Sequence, residues 1–209
     1  EGVMYDMLGR FASEDVRDRS VLALIKRYSG DKKQAKQVVK TSRSLFEQVK
    51  EKLGLSTEDG DLLRRAASLH EIGLAIAHSG YHKHSAYLVE YSDIPGFSQG
   101  DQKRMAQLML NHRRKLKADM LEQACIIGGD SLVYLCLLLR LAVLAHHSRS
   151  EHELPKLGLK VIDNNRWQIT VGESSEHYTF LLSDLHTEIE QFAKWGVKLD
   201  VVDGSVIEA

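Results

Sequence analysis

The chain has 209 residues, of which 43% are apolar, enough for a real core and too many for a disordered segment. Only two prolines occur, which argues for a mostly helical fold, and two cysteines are too few for a disulfide framework. The net charge of −1 hides an asymmetry: residues 1–150 carry 23 Lys and Arg against 18 Asp and Glu, residues 151–209 carry 5 against 11, and a basic body points to an anionic partner.

The chain opens at Glu1 without a methionine, which reads as a cut piece. Ser13, followed by Glu14 and Asp15, is a good helix start, and Val16, Leu22, Ala23, Ile25 and Tyr28 recur at helical spacing up to Gly30. Asp31 can cap the next helix. Ala35, Val38, Val39, Ser42, Leu45, Phe46, Val49 and Leu53 then trace one face over six turns, and Lys32, Lys33, Lys36, Lys40 and Arg43 line the outer face.

Ser56 restarts a helix expected to run to about His78, with Gly73 inside it. A mid-helix glycine costs ~1 kcal/mol relative to alanine, so Gly73 is expected to allow a close backbone contact. Residues His82–Glu90 form a short helix, Ser92–Gly96 a turn, and Gln99–His112 a further helix. From Lys103 to Lys117 there are six basic residues and no acid. Gly128-Gly129 is a break. Ser131–His147 is apolar nearly all round, so it should be the central buried helix or a subunit interface, and Arg140 within it needs a partner. Its longest apolar run, Leu132–Leu139, falls short of the roughly twenty residues that span a bilayer, so no membrane span is expected. Cys125 and Cys136 read as reduced core residues of a cytosolic protein.

Ser148–Pro155 reads as a linker. Beyond it the period changes: Leu157–Ile162 and Trp167–Val171 alternate around Asn164-Asn165 as a hairpin. Tyr178–Leu182 reads as another strand, Asp184–Trp195 as a helix and Val197–Val202 as a last strand. The expected fold is therefore mainly α, a helical domain over 1–150 followed by a small α+β domain over 151–209.

Four of the ten histidines fall between His70 and His84, and His70 is followed by Glu71. Histidine is the commonest metal ligand, so the cluster invites a metal reading. A helical domain with an adjacent His-acid pair looks like the metal-dependent phosphohydrolases called HD domains. Two further ligands expected of that class are missing, since the helix of Lys32–Leu53 has no histidine and the late apolar helix has no acid after Asp130. A catalytic metal usually needs at least three protein ligands. His70 and Glu71 are therefore expected to be a degenerate HD-type site, without metal and without a catalytic role.

His70-Glu71-Ile72-Gly73, Gly80–Tyr87, and Asp93-Ile94-Pro95-Gly96-Phe97 together resemble the exopolyphosphatase / guanosine pentaphosphate phosphohydrolase family. The opening Glu1–Met7 with Gly9-Arg10, His112-Arg113-Arg114 and Leu138–Leu141 also fit. The resemblance implies an HD-like helical domain and a small α+β domain, the C-terminal half of a cytoplasmic, homodimeric bacterial enzyme. The family's N-terminal actin-like catalytic domains, with their cleaving acid and Mg²⁺, are then partners outside this sequence, and this piece is expected to be inactive by itself. It implies a basic channel for inorganic polyphosphate, for which the candidates are His82, Lys83, His84, Arg113, Arg114, Lys115 and Lys117, with Lys32, Lys33, Lys36 and Arg43 second. Such a track holds a polyanion by summed phosphate contacts without reading bases, so no specific nucleic acid is expected. Two alternatives stay open: a metal-dependent HD-type phosphohydrolase at His70 and Glu71, and the regulatory region of a guanosine pentaphosphatase.

Overall fold

The computed structural model describes residues 16–149, 155–172 and 178–204. The helix start at Ser13, the opening Glu1–Arg10 and the middle of the expected linker lie outside them. The fold is mainly α: helices α1 (residues 16–27), α2 (Lys32–Leu53), α3 (Thr57–Leu69), a 3₁₀ turn (Ile72–Ala75), α4 (Tyr81–Tyr91), α5 (Gln99–Asn111) and α6 (Ala118–Ala145) precede strands β1 (Leu157–Asp163) and β2 (Arg166–Val171), helix α7 (Tyr178–Lys194) and strand β3 (Lys198–Asp203).

Local chemistry explains most of these boundaries. Asp31 caps α2 by accepting from the Lys33 and Gln34 amides. Ser56 with Asp59, and Ser98 with Asp101, form capping boxes at α3 and α5. The expected long helix from Ser56 to His78 is corrected: α3 stops at Leu69 and gives way to the 3₁₀ turn. The cause is a crossing of backbones. A Cβ at Gly73 would lie under 3.0 Å from Tyr81 O and Ser85 N, so only glycine lets the turn lie against α4.

Helix α6 carries the break foreseen at Gly128-Gly129: Gly129 has φ 64° and ψ −164°, a conformation open essentially to glycine alone. The helix resumes beyond it, and its second half is the buried centre of the fold, packed against α2, α3 and α5. By length and composition alone α6 could cross a membrane, but most of its apolar window is buried inside the protein, as in a core helix. Cys136 lies in that core. Cys125 does not; it is exposed on the outer half of α6, which corrects its reading as a core residue.

The sheet has order β1-β2-β3. Strands β1 and β2 form the expected hairpin, antiparallel with Val161 opposite Trp167, and β3 runs parallel to β2. The strand expected at Tyr178–Leu182 is instead the first turn of α7, which supplies the crossover a parallel pair requires. Trp167, fully buried, packs between Tyr134 of α6 and Phe192 of α7. Gln48 of α2 stitches the edge of β1, donating to Leu157 O at 3.2 Å and accepting from Leu159 N at 2.7 Å. The buried apolar residues on both sides of position 150 form one continuous cluster.

Candidate functional site

The His-Glu pair sits where α3 ends. Ser85 of α4 holds this junction together, accepting from Gly73 N and donating to His70 O, each at 2.9 Å. His70 is 1% exposed and donates from Nδ1 to Ala67 O at 2.7 Å. A neutral ring that donates from Nδ1 has only a lone pair at Nε2. That atom is 3.9 Å from Glu71 Oε1, too far for a hydrogen bond, and has no partner in the protein. Burial holds the His70 pKa below the ordinary value, partly opposed by Glu71.

Glu71 has a different partner. Both of its oxygens accept from the Arg149 guanidinium at 2.9 Å, and Arg149 also reaches Asp31 at 3.0 Å. One guanidinium nitrogen, Nη2, thus bridges both carboxylate oxygens, and its positive charge opposes a metal ion there. Among the described residues no three His, Cys, Asp or Glu side chains are placed to hold a metal ion. The described residues therefore do not fit an HD-type metal.

Three more histidines gather around His70. His112, at the end of α5, is 1% exposed, donates from Nδ1 to Met109 O at 2.6 Å, and has its ring centroid 5.6 Å from that of His70. His82 of α4 lies 6.3 Å from His112 by ring centroids. His146 follows α6 and exchanges a hydrogen bond with Thr41 at 2.8 Å. Burial lowers all their pKa values, with neighbouring cations adding to the effect: His82 and His146 to about 4, His112 well below the usual range. These rings are neutral at physiological pH.

The predicted anion-binding residues divide accordingly. His82 is buried and neutral, His84 is half-buried, and Lys83 is exposed on α4. Arg113 lies over the Tyr81 ring at 4.4 Å. Arg114, Lys115 and Lys117 are exposed on the loop between α5 and α6, and Lys32, Lys33, Lys36 and Arg43 are exposed along α2. Arg104, from the same basic stretch, is committed to Asp59 at 2.8 Å. Among the described residues neither Arg113 nor Arg114 forms an ion pair.

Helix α7 fixes the basic loop, a contribution that sequence reasoning missed. Gln191 accepts from Leu116 N at 3.0 Å, and Trp195 donates to Lys117 O at 3.1 Å. Arg140, which needed a partner, finds Glu188 of α7 in a two-pronged pair with its Nη2–Oε1 arm at 2.8 Å, and also donates to Asn111 O at 3.3 Å. Between these elements lies a cleft of about 360 Å³ lined by Glu71, Tyr81, His112, Arg113, Arg114 and Arg149, among others. A larger hollow of about 720 Å³ runs along α2 and α3, but acids there (Glu47, Glu51, Glu58, Asp61) offset Arg43, Lys50 and Arg64, so it has no preference for an anion.

Comparison with known proteins places the chain in a family. The family model described as Ppx/GppA phosphatase, domain III, matches residues 16–189. A protein of Pseudoalteromonas translucida named guanosine-5'-triphosphate,3'-diphosphate pyrophosphatase is 34% identical over 204 residues, covering 96% of this chain and 40% of its own length. A protein of the same name from Aeromonas hydrophila is 34% identical over 199 residues, covering 94% of this chain and 40% of its own length. The chain thus spans about 40% of the length of the curated relatives it matches.

Proposed function

We propose, from the premise that this chain belongs to the Ppx/GppA phosphatase family, that it is the phosphate-chain-holding part of a phosphoanhydride hydrolase whose cleaving machinery lies in other domains. The single observation that carries this reading is the acid-free loop from Arg113 to Lys117, pinned by Gln191 and Trp195 with Arg114, Lys115 and Lys117 exposed to solvent. Pinned cations lose less freedom when a polyanion arrives than mobile ones would. The His70–Glu71 pair contributes structure rather than chemistry in this reading, because Arg149 closes the carboxylate. A cleaving acid with Mg²⁺ then belongs to the remainder of the protein, as does the choice between ends of inorganic polyphosphate and a nucleotide. The relatives' name favours a guanosine polyphosphate as the second reading. A homodimer in the cytoplasm is the setting we assign to it.

Titration with polyphosphate of defined length tests the reading. Each phosphate contact adds about −0.7 to the slope of log affinity against log salt. Four contacts then give roughly a 50-fold loss between about 50 and about 200 mM salt. Lys115→Glu combined with Lys117→Glu should weaken binding and flatten that slope. An affinity indifferent to salt, or indifferent to the charge reversal, rejects the proposal, as does phosphate release by this chain alone.

A further inference from the structure

Helix α4 buries one face and leaves the other open. Tyr81, His82, Ser85, Ala86 and Val89 are buried where α4 packs on the 3₁₀ turn and on α5. On the opposite face Lys83, Tyr87 and Tyr91 follow at four-residue intervals and are exposed, the two tyrosines by 61% and 69%. Their rings are stacked, with centroids 4.9 Å apart. Tyrosine is among the residues that anchor protein interfaces, and rings already ordered in the free protein lose little freedom on being covered.

The charges beside the tyrosines are unspent. Among the described residues neither Lys83 nor Glu90 forms an ion pair. They cannot meet each other, because their places on the helix lie about 10 Å apart along its axis. With a turn of 100° per residue both fall on one flank of Tyr87, Lys83 about 6 Å toward the N-terminal end and Glu90 about 4.5 Å toward the C-terminal end. His84 and Tyr91 occupy the other flank in the same way. Glu90 and Tyr91 also line an open hollow of about 550 Å³ with Asp93, Phe97 and Lys103, which leaves a long lysine side chain room to reach the carboxylate.

This order of charges matches its own reverse. A twofold axis between two antiparallel copies of α4, level with Tyr87 and at right angles to both helices, inverts the helix direction and keeps each flank on its own side. Lys83 then stands opposite the partner's Glu90, Glu90 opposite the partner's Lys83, and the Tyr87 rings meet at the axis. A partner of one charge sign would satisfy one of these groups and repel the other, whereas a second copy satisfies both. We propose that the outward face of α4 is a self-association surface on which a second copy of this chain packs antiparallel about Tyr87 and exchanges two Lys83–Glu90 pairs. This surface gives a place to the homodimer assigned above, on which it rests, and it takes Lys83 out of the phosphate track. One helix face is small for an interface, so association belongs in the micromolar range.

The test is sedimentation equilibrium of the 209-residue chain up to high-micromolar concentration. The native chain should dimerise. Lys83→Glu and Glu90→Lys should each weaken the dimer by at least about tenfold, because both twofold-related pairs turn from attraction to repulsion. Lys83→Glu combined with Glu90→Lys should restore the affinity to within about twofold, since the pairs are rebuilt with their signs exchanged. A mere effect of net charge would move the two single variants in opposite directions. Tyr87→Asp sets two like charges at the axis and should also give monomers. Lys115→Glu with Lys117→Glu should leave the dimer unchanged, so failure of the phosphate track and failure of this surface are read separately. A native chain that stays monomeric, a dimer indifferent to the single variants or to Tyr87→Asp, single variants that act in opposite directions, or a double exchange that restores nothing overturns the proposal.

Discussion

The four gathered histidines make stability depend on pH in a direction set by their burial. His82 and His146 titrate near 4 in the fold, against about 6.5 in an unfolded chain. Between those values the unfolded state binds more protons, so stability is complete above about pH 6.5 and is lost as pH falls toward about 4. Melting temperature should therefore hold steady from pH 8 to 7 and drop on going to pH 5, and a His82→Gln variant should show a shallower drop. The packing around the pair is equally specific. Ser85→Ala strands the Gly73 amide in a buried site and should cost about 1–3 kcal/mol in urea unfolding. Gly73→Ala drives a methyl into the α4 backbone and should cost at least that much. Gly73 was marked in the sequence as a point of close approach, but its partner was not, because the contact joins residues twelve apart across a turn.

At the scale of elements, the pair Arg140–Glu188 joins the central helix to α7. Removing one partner from a buried ion pair leaves an uncompensated charge, so Glu188→Ala should cost about 3–5 kcal/mol. The double change Arg140→Met with Glu188→Leu should recover most of it, which denaturant unfolding of the three variants can check. Helix α6 offers a second case. Open space surrounds the Cβ position of Gly129, so Gly129→Ala should cost about 1–3 kcal/mol from backbone strain alone. Arg140 was legible as a residue in need of a partner. Glu188 was not, since nothing in an amphipathic 3.6-residue period says which polar residue will face a neighbour 48 positions away.

For the whole molecule, the sheet and α7 are best understood as the clamp that sets the basic loop. Gln191→Ala removes the partner of a buried Leu116 amide, so hydrogen exchange at that amide should quicken. Affinity for long polyphosphate should fall with it even though no charge has changed. A loop that exchanges faster without losing affinity would show that its cations need no pinning. The 43% apolar content and the shift of period near residue 155 announced a helical body with an α+β tail, yet the buried residues of both belong to one cluster, and the tail helps shape the cleft.

Caps and periods are local quantities, and the sequence alone determined what depends on them: Asp31 and Ser56 as helix starts, the apolar stripe of α2, the break at Gly129, the hairpin around Asn164-Asn165, and the family. Tertiary structure decided what depends on desolvation and on distant partners. Glu71 faces Arg149, His112 keeps a lone pair instead of a charge, and His82, counted with the cations by residue type, is a buried neutral ring. The physical reason is that a side chain's charge follows from its surroundings, and those are assembled only when segments far apart in the chain pack together.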